Sequence, residues 1–130
     1  MNPSANLILA SLSKEIFCAL PPHLQNIEFK HGEVLTETGT QIKDVYFPDA
    51  GIISLVVELS VGEMVETAMV GRDGVVNAAC ALDGKVSLNK AIVQLAGVGS
   101  VISAEHMTTI ADQHRHFRAR LIRHEQVLFA

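Results

Sequence analysis

The segment Val45-Tyr46-Phe47-Pro48-Asp49-Ala50-Gly51-Ile52-Ile53-Ser54-Leu55-Val56, followed by Met69-Val70-Gly71-Arg72-Asp73-Gly74-Val75-Val76, most constrains this chain. Val45 to Phe47 suits a short strand. Pro48 presets φ for a first central turn position, Asp49 suits the second, and Gly51 can take a positive φ. Ile52 to Leu59 is β-branched and nearly continuous, as a central strand is. Val61-Gly62-Glu63 predicts a hairpin turn, with Met64 to Val70 as the return strand. A glycine-bracketed loop then opens onto a short helix predicted over Val75 to Leu82, which Asp83-Gly84 ends. Short strands at this spacing build a roll.

The flanks complete an α+β pattern. Ser4 is a candidate cap, and Leu7, Ile8, Leu12, Ile16, Phe17 and Leu20 recur at helical spacing until Pro21-Pro22. From Asn26 the period changes to two, with Ile27 and Phe29 against Glu28 and Lys30. His31-Gly32-Glu33 and Thr38-Gly39-Thr40 mark turns around a Val34-Leu35-Thr36 strand. Leu88 to Leu95 returns to strand. Gly97 and Gly99 predict a loop, and Val101-Ile102 a last short strand. A helix opens at Ser103 or Ala104, although His106 makes no capping box, and helical periodicity runs from His114 to the end. The expected organisation is one domain, 1–130. Residues 1–25 are N-terminal helices, 26–102 a β-roll and 103–130 C-terminal helices.

At 130 residues, 48% hydrophobic, the chain can fill one core. Trp is absent, so aliphatic residues must do most of the packing. A formal charge of -4 argues against a general nucleic-acid surface. Arg115, Arg118, Arg120 and Arg123 nevertheless make the C-terminus locally basic. Cys18 and Cys80 sit among apolar residues and predict buried thiols in a reducing compartment, not a disulfide framework. No positively charged start precedes the first apolar run, and no run approaches the ~20 residues that span a bilayer. The expectation is a soluble, cytoplasmic protein with no membrane contact.

Gly32-Glu33-Val34-Leu35, Val45-Tyr46-Phe47-Pro48-Asp49-Ala50-Gly51 and Val70-Gly71-Arg72-Asp73-Gly74 together resemble the sensor domain of Crp/Fnr-type transcription regulators. The resemblance runs from Asn6 to about Phe129. It implies the cyclic-nucleotide-binding fold: a double-stranded β-helix, or jelly-roll-like β-roll, with N-terminal helices and a C-terminal dimerisation helix. It implies a homodimer, and DNA contact only through a helix-turn-helix that these residues do not contain. It also implies a phosphate cassette, with amides at a short helix start, a Glu for the ribose hydroxyl and an Arg for the cyclic phosphate. Those positions fall on Gly74, Val75, Val76 and Asn77, and on Asn89, Lys90 and Ala91. Neither Val76 nor Asn77 is acidic. Asn89 stands where the Arg would be, and Lys90, one position on, faces the other side of a strand. A buried phosphate without its cation is strongly unfavourable. The expectation is therefore a diverged pocket that does not hold cAMP or cGMP tightly. It stays open to a cyclic nucleotide bound weakly, to another small anionic ligand, or to none.

Other chemistry finds less support. His114 and His116 would diverge by about 200° on a helix. No His-Glu-x-x-His pattern and no Gly-x-Ser-x-Gly elbow occurs, and Asp73 reads as a cap for the helix behind it. No catalytic or metal-ligating residue is assigned. Phe117, Leu121, His124 and Leu128 are spaced as a shared seam between two helices. The same spacing also suits a face packed on the chain's own roll. In a seam, charging of His124 would weaken the dimer as pH falls. Arg118 and Arg123 would lie on the solvated flanks. Three functions follow in order: a non-catalytic ligand-sensing domain, a ligand-free dimerisation or protein-interaction scaffold, and, distantly, a cupin-type small barrel enzyme.

Overall fold

A computed structural model of the chain describes residues 6–12, 19–84 and 86–128. Strand β3 (Asp44–Pro48) divides the molecule. Successive side chains of a strand point to opposite faces, and here both faces are buried. Val45 and Phe47 join a core with Ile8, Leu20, Ile102, Met107, Phe117 and Leu121, on the side of the helices. Tyr46 joins a second core with Phe29, Ile53, Leu55, Val70, Val76, Ala91 and Val93, inside the roll.

Two antiparallel sheets enclose that second core. One contains β1 (Gln25–Phe29), β7 (Gly97–Ser103) and β3, in the order β1-β7-β3. The other contains β2 (Val34–Thr36), β6 (Lys90–Leu95), β4 (Ile52–Glu58) and β5 (Met64–Val70), in the order β2-β6-β4-β5. The sheets lie as two layers of a roll, and the described strands do not close into a barrel. Around them stand α1 (Leu7–Ala10), α2 (Ala78–Asp83), α3 (Ala104–Gln113) and α4 (Arg115–Leu128). The architecture is the expected α+β roll with helices toward both ends. Ser103 caps α3 by accepting from the His106 amide at 3.1 Å, and its hydroxyl lies 2.9 Å from His106 Nδ1. The extended φ of -133° at His114 separates α3 from α4.

Three local expectations are corrected. Gly97 and Gly99 are not a loop but the first half of β7, the central strand of its sheet. A Cβ on Gly97 would fall 2.0 Å from the Ala50 carbonyl oxygen, and one on Gly99 2.5 Å from that of Phe47. Glycine is there because another segment of backbone crosses at contact distance. Pro48 ends β3 rather than opening the turn; the chain reverses over 49–51, where Gly51 takes φ +96°. Helix α2 begins at Ala78 rather than Val75, because Val75 and Val76 are drawn into the two cores on either side. The Val76 amide donates to the Tyr46 carbonyl at 2.9 Å, and the Tyr46 amide to the Val76 carbonyl at 3.2 Å. The Ser4 cap, Ile16, Phe17 and Cys18 lie outside the described residues.

Asn6, fully buried, holds the N-terminal segment to this frame. Its Nδ2 donates to the Pro48 carbonyl at 2.6 Å and to the Gly74 carbonyl at 2.9 Å. Its Oδ1 accepts from the Ile8 and Leu9 amides at 3.0 and 3.2 Å, which caps α1. Its own amide donates to Asp49 Oδ1 at 2.9 Å. One side chain thus satisfies both a helix start and two buried carbonyls, which would be costly to leave unpaired.

Asn6→Ala is expected to destabilise the domain by about 2–4 kcal/mol, since it removes the cap and strands two carbonyls. Asn26→Ala, on an exposed position of β1, should stay within about 0.5 kcal/mol. Urea denaturation of both variants checks the contrast. Gly97→Ala should be at least as damaging as Asn6→Ala, because its methyl group meets backbone rather than a movable side chain.

Candidate ligand site

Nothing cationic reaches the interior of the roll at the positions the resemblance singles out. Ala91 pairs with Leu55 and with Thr36 and is buried in the roll core. Asn89 precedes β6; its Oδ1 accepts from the Thr67 hydroxyl at 3.2 Å. Lys90 lies on the opposite face from Ala91, with its Nζ 3.5 Å from Glu37 Oε1. The space between the sheets is filled instead by apolar side chains, with Phe29 and Tyr46 in edge-to-face contact at 6.2 Å.

The expected cassette helix is present as α2, but its approach is unusual. Val75 packs toward the helices and Val76 into the roll. Asn77 adopts φ 78°, the one positive φ at a non-glycine residue among those described. Its side chain turns away from α2. The Nδ2 donates to Thr36 Oγ1 at 2.8 Å and to the Asp44 carbonyl at 3.1 Å. These two bonds tie the helix start to β2 and β3.

Beside Asn77 the roll opens into a cavity of about 290 Å³. Thr36, Glu37, Thr40, Gln41, Lys43, Asp44, Tyr46 and Asn77 supply its polar lining. Of the seven pocket positions expected from the sequence, Asn77 alone lines it; Gly74, Val75, Val76, Asn89, Lys90 and Ala91 do not. Tyr46, Thr36 and Asp44 were not foreseen. The available signal was the lone tyrosine between Val45 and Phe47, a polar tip on a strand with two buried faces. The Tyr46 phenol is pushed up to about 12, first by burial and then by the Asp44 and Glu33 carboxylates. It stays protonated at any physiological pH.

The other half of the loop before α2 is gripped by α4. Gly74 is buried, and a Cβ there would fall 2.6 Å from His124 Nε2 and 2.8 Å from Val70 Cγ1. His124 therefore rests on the loop of its own chain. Phe117 and Leu121 are 1% and 0% exposed within the single chain, packed on the helix-side core. Within the single chain their spacing serves the chain's own core, and the dimer seam expected through these residues stays a proposal. The side chain of Leu128 lies outside the described residues. Among the described residues no three His, Cys, Asp or Glu side chains gather as a metal site, and no helix is long and apolar enough to cross a membrane.

No family model and no curated protein matches the chain. Solved structures do. The N-terminal domain of a transcriptional regulator from Streptomyces coelicolor A3(2) superposes with a TM-score of 0.72 at 14% identity, over 95% of this chain and 87% of that one. A cyclic nucleotide-binding domain from Methylobacillus flagellatus KT gives 0.74 at 13% identity, over 96% and 74%. The Thermus thermophilus catabolite activator protein gives 0.75 at 14% identity, over 89% and 55%. This chain spans about half the length of that last protein. At such identities the likeness is one of fold, and the fold is that of cyclic-nucleotide-binding domains.

Burial lowers the His124 pKa below the ordinary 6.5; Asp73 opposes the shift and Arg120 adds to it. The neutral ring is thus favoured in the folded chain. Its contribution to stability is fully present above 6.5. It is lost as pH falls through the lowered folded value, because the unfolded chain takes up the proton first. Stability should decline between pH 7 and pH 5, and His124→Gln should flatten that decline. Urea midpoints across this range, with the His124 ring titrated by NMR, check both statements.

Proposed function

We propose that this chain, having the cyclic-nucleotide-binding fold, is a non-catalytic sensing domain of the kind that forms the input half of Crp/Fnr-type transcription regulators. Its roll does not hold a cyclic nucleotide tightly. One observation carries the second statement. Side chains of Phe29, Tyr46, Ile53, Leu55 and Val93 pack the space between the sheets, and the two polar residues ahead of Ala91 are engaged elsewhere, Asn89 with Thr67 and Lys90 with Glu37. A cyclic phosphate entering there would be desolvated without a counter-charge. The fold supports the regulatory reading. The same reading includes a cytoplasmic homodimer and DNA contact through a helix-turn-helix unit outside these residues. In such a device a ligand acts by binding one arrangement of roll and helices better than another.

A ligand-free scaffold is the second reading. It is favoured by the outer face of the four-stranded sheet, where Val34, Met64 and Met69 are 41%, 56% and 51% exposed.

Calorimetric titration with cAMP, cGMP and cyclic di-GMP tests the pocket. No saturable heat is expected at micromolar nucleotide. Micromolar binding of any of the three, lost on substitution of Ala91 by a larger residue, would contradict the filled roll.

A further inference from the structure

We propose that His23 and His106 form a surface site for a divalent transition-metal ion, Zn²⁺, Ni²⁺ or Cu²⁺, which clips the turn before β1 to the start of α3. The two histidines are far apart in the sequence, and the β1–β7 ladder brings them together. Gln25 is the register partner of Val101. His23 lies two residues before the one, and Ser103 two residues after the other, so the turn and the helix start leave the sheet side by side. The His23 backbone is fixed by donation of its amide to the Leu20 carbonyl at 2.9 Å. That of His106 is fixed by the Ser103 cap, 3.1 Å from its amide. The two rings face each other with centroids 4.2 Å apart and planes 24° from parallel.

The chemistry of the pair suits such an ion. Imidazole nitrogen is a preferred ligand of zinc, nickel and copper. Two bonds of ~2.0–2.1 Å to one tetrahedral ion hold their nitrogens ~3.3 Å apart. Rings at 4.2 Å reach that spacing by turning so that their lone pairs converge, with the backbone in place. Both side chains are exposed, so solvent leaves the rings room to turn and gives the ion direct access. Ser103 Oγ lies 2.9 Å from His106 Nδ1. A hydroxyl oxygen has two lone pairs, enough to accept from an Nδ1–H as well as from the His106 amide. That arrangement leaves the Nε2 lone pair for the ion, and a metal-bound imidazole characteristically has its other nitrogen held in this way. Among the described residues no third His, Cys, Asp or Glu joins them, so water completes the coordination. The inference goes beyond the regulatory reading and does not depend on it. The nucleotide titration interrogates the interior between the sheets, and this site lies where β7 runs into α3.

Zinc chloride titrated into the whole chain near neutral pH, with the imidazole resonances followed by NMR, should shift His23 and His106 together and saturably. Magnesium chloride should move neither, because Mg²⁺ takes oxygen ligands. His23→Gln and His106→Gln change exposed positions and should fold normally. Each should weaken zinc binding at least tenfold, because joining two ligands in one grip raises affinity by ~10²–10⁴. His116→Gln, exposed on α4, should bind zinc like the unaltered chain. The proposal is overturned by zinc shifts at His23 and His106 that are absent or do not saturate, by magnesium acting as zinc does, by unchanged zinc affinity in either folded His23→Gln or His106→Gln, or by equal loss in His116→Gln.

Discussion

Burial of both faces of β3 is the constraint on which the rest of the structure depends. A strand between two cores needs apolar residues at every position, and Val45-Tyr46-Phe47 supplies them over three consecutive residues. Val45 and Phe47 draw the helices onto one side. Tyr46 closes the roll on the other, edge-on to Phe29. Because β3 is an edge strand of its sheet, its free backbone groups need a partner. Val76 provides it through two reciprocal hydrogen bonds. That bridge fixes where the loop after β5 must run, and so where α2 begins.

The loop of residues 71–77 is consequently held from several sides. Asn6 takes the Gly74 carbonyl, and the Leu7 amide donates to that of Arg72 at 2.7 Å. His124 of α4 covers Gly74. Asn77 fastens the loop's far end to β2 and β3.

Much of the architecture was legible because it depends on period and turn chemistry. The alternation of Ile27 and Phe29, the β-branched run from Ile52 and the hairpin at Gly62 each express a local preference that the tertiary fold then keeps. The errors fall where a distant segment intervenes. Gly97 and Gly99 look like loop residues until the backbone at Ala50 and Phe47 is seen to lie against them. Phe117 and Leu121 show only helical spacing in the sequence, and that the helix-side core takes them up is decided by packing. Asn6 signals locally only its cap, since two of its side-chain hydrogen bonds reach residues more than forty positions away.

The sequence by itself determined the class of fold, because strand period and glycine placement are properties of short segments. Only the tertiary structure decided that apolar side chains pack between the two sheets, that Asn77 turns from its helix to bind two strands, and that Tyr46 lines the end cavity. These follow from which side chains meet across the fold, and packing between segments far apart in the chain has no signature in any one of them.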